Sequence, residues 1–69
     1  MNNKTANICI AILKYAIKNN CTIAKACSHY KKRPNFISDY KRRGLERDFQ
    51  NKTISKSLYD EFQNLFSEF

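Results

Sequence analysis

Sixty-nine residues permit one small domain, 1–69, because a chain this short buries only about 60% of the surface its unfolded state exposes. Thirteen Lys and Arg against six Asp and Glu leave a net charge of +7, which points to a polyanionic partner, nucleic acid first. A hydrophobic fraction of 42% argues against a disordered basic tail, and one Gly with one Pro is too little turn chemistry for a β-barrel or a glycine-rich phosphate cradle. Three cysteines without a CxxC pair do not make a disulfide framework, so reduced thiols in a cytoplasmic protein are expected. The apolar run from Ala6 to Leu13 is interrupted by Lys14 far short of the ~20 residues of a membrane span, and no signal-peptide cleavage site follows it.

The first predicted helix covers Thr5 to about Asn19. Asn7, Ala11, Lys14 and Lys18 recur at helical spacing and mark its solvent stripe, opposite Cys9, Ile12, Leu13 and Ala16. Ile8, Ile10, Tyr15 and Ile17 flank that arc, more apolar surface than a simple amphipathic helix needs. Asn19 and Asn20 tolerate left-handed backbone and close the helix, and Thr22 is a good N-cap for the next one.

Ile23 to Tyr30 reads as a short second helix that buries Ile23, Ala26, Cys27 and Tyr30 on one face. Lys31-Lys32-Arg33 break the pattern, and Pro34 opens a third helix, where its missing N–H costs nothing. There Phe36, Ile37 and Tyr40 face inward, Asn35, Ser38, Asp39, Lys41 and Arg42 outward, and Gly44 is expected to close the helix at C′. Leu45 to Lys52 fits either a loop or a turn of helix. A last helix over about 54–68 starts where Thr53, Ser55 and Ser57 compete for the N-cap, with Ile54, Leu58, Phe62, Leu65, Phe66 and Phe69 as its apolar stripe. The stripe is either core or a dimer seam. The fold class is therefore all-α, a bundle of four short helices with a fifth if 45–52 forms one.

Charge is concentrated around the short turn between the second and third helices. Residues 25–47 hold Lys25, Lys31, Lys32, Arg33, Lys41, Arg42, Arg43 and Arg47 against Asp39 and Glu46, which is +6 of the total. Two short helices, a tight turn and a polar helix in the most basic part of the chain describe a helix-turn-helix over about 22–43.

The stretch Ile23-Ala24-Lys25-Ala26-Cys27-Ser28-His29-Tyr30, Lys31-Lys32-Arg33-Pro34, Asn35-Phe36-Ile37-Ser38-Asp39-Tyr40 resembles the helix-turn-helix of Cro-like and Xre-like phage and bacterial transcription regulators. Cys27 fills the family's small residue at the helix crossing, Tyr30 the apolar end of the first helix, and Ile37-Ser38 the inner side of the second. Lys31 stands where the family prefers Gly, and Lys32 where it prefers an apolar residue. The resemblance implies a lambda-repressor-like bundle and a dimeric, sequence-specific regulator of double-stranded DNA, a repressor of phage or mobile-element type acting in the bacterial cytoplasm. It also implies that the helix from about Pro34 to Arg43 enters the major groove. Carried over position by position, Arg33, Pro34, Asn35, Ser38, Asp39 and Arg42 become base contacts. Asn suits adenine, Arg guanine, and Asp the cytosine amino group. Lys25, Lys31, Lys32, Lys41 and Arg43 become phosphate contacts, and Phe62, Leu65, Phe66 and Phe69 the dimer or core seam.

Other chemistries have weaker support. Cys21, Cys27 and His29 match no common zinc spacing, and Cys27 and His29, two residues apart on a helix, point to different faces and cannot pair as nucleophile and base. No paired carboxylates or cofactor-binding loop is visible, so neither an enzyme nor a small-molecule or cofactor site is expected. Asp39 has a plain alternative to base reading, an ion pair with Arg42 or Arg43. The competing function is a small basic phage-type protein that binds RNA or an acidic protein surface as an inhibitor. A membrane-surface peptide is disfavoured because basic and apolar residues are divided among short segments.

Overall fold

The computed structural model describes residues 3–67, which form five helices and no strand: α1 (Asn3–Asn19), α2 (Ile23–His29), α3 (Pro34–Arg43), α4 (Leu45–Gln50) and α5 (Lys56–Ser67). None is long and apolar enough to cross a membrane. Phe69 lies outside the described residues.

The core follows from helical periodicity. Cys9, Ile12, Leu13 and Ala16 of α1 are buried, whereas Asn7, Lys14 and Lys18 are exposed, as the stripe requires. Ile23, Ala26 and Cys27 of α2, Ile37 and Tyr40 of α3, Leu45 of α4, and Phe62 and Phe66 of α5 close over α1. The Cys9 thiol donates to the Phe36 carbonyl at 3.8 Å, so a small side chain at position 9 brings α3 close to α1. Tyr30 departs from its expected place on the buried face of α2: it is 36% exposed, because α2 ends at His29 and the chain turns away beside α1.

Three helices end in the same way, with a left-handed residue that is not glycine. Asn20 has φ 50°, and the N–H groups of Cys21 and Asn20 bond the carbonyls of Ala16 and Ile17. Lys31 has φ 57°, with Lys32 N–H on Cys27 O at 2.9 Å and Lys31 N–H on Ser28 O at 3.0 Å. Lys52 has φ 62°, with Thr53 N–H on Asp48 O and Lys52 N–H on Phe49 O. This is the Schellman arrangement, which satisfies the last carbonyls of each helix.

Gly44 does not act as a left-handed C′ residue. Its φ of −122° and ψ of −29° let the chain run from α3 into α4 with scarcely a break: Gly44 N–H bonds Tyr40 O, and Asp48 N–H bonds Gly44 O. Residues 45–52 therefore supply a fifth helix and its cap. The N-cap of α5 is Ser55, whose hydroxyl accepts the Leu58 N–H at 3.1 Å. Ile54 thus precedes α5 instead of belonging to its stripe, yet remains in the core at 3% exposure.

Candidate nucleic-acid interface

The α2–turn–α3 unit is held at both ends of α2. The Thr22 hydroxyl accepts Lys25 N–H at 3.1 Å at its start, and the Lys31 cap closes its end. Arg33 is extended at φ −85° and ψ 149°, and Pro34 sits in the first turn of α3. Lys31 thus adopts the backbone that glycine would favour, at a cost of roughly 1–2 kcal/mol for a side chain in that region.

Tyr40 and Ile37 point α3 inward, which leaves Asn35, Ser38, Asp39 and Arg42 along the opposite face at spacings of three, one and three. Asn35 and Arg42 are exposed, and Ser38 and Asp39 are half-buried. Arg42 forms an ion pair with Asp39 one turn back, with the two side chains 65% and 51% exposed. The plain alternative for Asp39 is thus realised, with the Arg42 guanidinium donating to the carboxylate. Arg33 and Pro34 are exposed at the head of this face.

The flanking cations divide into two groups. The Lys32 ammonium lies 5.2 Å from the centre of the Phe36 ring, and Lys41 lies 5.4 Å from that of Phe66. Each ammonium lies over the ring while the lysine stays exposed at the surface. The second group, Lys25, Lys31 and Arg43, is exposed.

The thiols are ill suited to chemistry. Burial raises the Cys9 pKa to about 12, with the neighbouring Cys27 adding to the effect, and burial raises that of Cys27 as well. Cys27 is fully buried and His29 exposed, so they do not meet. Cys21 is half-buried, and no three His, Cys, Asp or Glu side chains among the described residues are placed to hold a metal ion.

Phe62 and Phe66 are consumed by the core of the single chain at 0% and 4% exposure, while Leu65 is half-buried. Asp48 was not legible as a structural group. It is 4% exposed, receives the Tyr40 hydroxyl at 2.9 Å and approaches Arg47 at 3.5 Å. Its signal in the sequence was slight: an acid eight residues after a tyrosine, across a helix junction not evident from periodicity.

No protein-family model, curated protein or solved structure matches this chain.

Proposed function

We propose that this protein binds double-stranded DNA sequence-specifically, with α3 in the major groove, and regulates transcription as a repressor. The observation that carries the reading is the outward face of α3. It combines Asn35, Asp39-held Arg42 and Ser38, all able to bond base edges, on the one helix that follows a tight turn in the most basic part of the chain. Lys25, Lys31, Lys32, Lys41 and Arg43 surround that face as phosphate contacts that set register without reading sequence. The roles of repressor and phage-type regulator rest on the resemblance of residues 23–40 alone.

The reading includes a homodimer, since two-fold pairing would set two recognition helices about 34 Å apart, one turn of DNA. With Phe62 and Phe66 already covered, the half-buried apolar side chains that the described part of α5 offers a second copy are Leu58, Tyr59 and Leu65.

The test is selection from random duplex DNA followed by substitution. Asn35→Ala should weaken the selected site by about 1–3 kcal/mol and random duplex much less, whereas Arg43→Ala should weaken both alike. Equal losses on both from Asn35→Ala overturn the assignment of the reading face. Absence of duplex binding transfers the basic surface to an RNA or acidic protein partner.

A further inference from the structure

Outside the α3 face, the structure holds an aromatic cluster that the duplex reading does not use. Tyr15 of α1 and His29 of α2 stack with centroids 4.2 Å apart and planes 14° from parallel. Tyr30 stands 5.8 Å from Tyr15 and 5.3 Å from His29, at interplanar angles of 87° and 75°. If Tyr30 lay on top of His29, its distance to Tyr15 would approach the sum of the other two separations. It is far shorter, so Tyr30 stands beside the stack as a wall and not over the outer face of the exposed His29 ring.

The three segments that carry the cluster have one sign. The first acid in the sequence is Asp39, so α1, α2 and the turn after them carry Lys and Arg and no carboxylate side chain. Lys18 is one helical turn from Tyr15, Lys25 one turn from His29, and Lys31 follows Tyr30; all three are exposed. An open ring face beside a ring wall, within reach of three ammonium groups, has the parts of a site for a base and its flanking phosphates.

We infer that the Tyr15–His29–Tyr30 ledge is a second nucleic-acid site that takes an unpaired base of a single strand. The base extends the Tyr15–His29 column by stacking on the outer imidazole face, Tyr30 borders it, and Lys18, with Lys25 and Lys31 that the duplex face also uses, neutralises the neighbouring phosphates. A paired base inside a duplex has both faces covered by its neighbours and cannot enter this column. The ledge therefore selects single strands, whether DNA or RNA, as the α3 face selects duplex.

The experiment measures binding of the full chain to strands of about twelve deoxyuridines, the matching uridine strand, an abasic strand of the same length and a random duplex. In wild type, either base-bearing strand should bind more tightly than the abasic one, and the tighter of the two identifies the sugar preferred. His29→Ala should lower that binding roughly 5- to 150-fold and leave abasic and duplex affinities within about twofold, while His29→Phe restores the loss. His29 is exposed, so the substitution leaves the core intact. Equal wild-type binding to base-bearing and abasic strands, or no effect of His29→Ala, overturns the inference. Asn35→Ala tests the other site, because it should change duplex binding only. Loss of either reading is thus visible without loss of the other.

Discussion

The Tyr40 hydroxyl donates to Asp48 Oδ2 at 2.9 Å, joining α3 to α4 inside the protein. At Gly44 the backbone leaves the helical region, and this bond and the packing of Leu45 help to fix how α4 departs from α3. Tyr40→Phe should cost about 1–3 kcal/mol in urea unfolding, because a buried carboxylate loses its hydroxyl donor. An unchanged midpoint would mean that Arg47 and water satisfy Asp48 unaided.

Alkaline stability follows from the same interior. Burial raises the Cys9 pKa to about 12 from 9.0, and burial with the Asp48 hydrogen bond raises that of Tyr40 as well. Above pH 9.0 the unfolded chain releases the Cys9 proton while the folded chain keeps it, so the stabilisation is complete below that pH and lost as pH rises toward about 12. Each such group contributes at most about 1.4 kcal/mol per pH unit in that window. Urea midpoints measured from pH 8 upward should fall above about pH 9, and Cys9→Ala should flatten the early part of the fall. A wild-type midpoint level across the window would count against both shifts.

The helices with strong periodicity, α1, α3 and α5, were legible to within a few residues, and so was the outward face of α3. Position 20 was legible as a left-handed end because Asn tolerates that backbone. Positions 31 and 52 were not, since Lys carries no such signal and adopts the backbone only when packing on both sides of the turn requires it. Gly44 misled for the opposite reason: its freedom permits a left-handed cap, and the structure does not use it. The aromatic ledge escaped because Tyr15 and His29 meet only where α2 packs on α1, which no local spacing reveals.

Lys52 offers a direct test of the cap geometry, as it lies beyond α4 and outside both proposed nucleic-acid sites. Lys52→Gly should stabilise the chain by about 0.5–1 kcal/mol, because relief of left-handed strain exceeds the added freedom of the unfolded state. Random-duplex affinity should change no more than expected from one distant charge. A lower thermal midpoint would show that the Lys52 side chain contributes packing that outweighs the strain.

Salt dependence separates phosphate neutralisation from other modes of binding. If a dimer neutralises about six to ten phosphates, duplex affinity should drop by roughly three to five decades between about 50 and 200 mM salt. Lys25→Ala should reduce the slope by about 1 for each phosphate that Lys25 neutralises in the wild type. A flat response would remove duplex DNA as the partner.

Asp39 is the sharpest discriminator, because its carboxylate sits on a cationic surface and already holds Arg42. As an exposed pair one turn apart, the two contribute only about 0.2–0.5 kcal/mol to the helix, so Asp39→Asn should leave stability nearly unchanged. On duplex DNA the substitution removes a charge that repels phosphate and frees the guanidinium to turn toward the backbone. Random-duplex affinity should therefore rise several-fold, with a salt slope steeper by about 0.9. The selected site should gain less, because Arg42 no longer arrives aimed at a base edge, and the ratio of specific to random binding should fall. If that ratio survives Asp39→Asn, the ion pair is only a solvated surface contact and Arg42 does not read sequence.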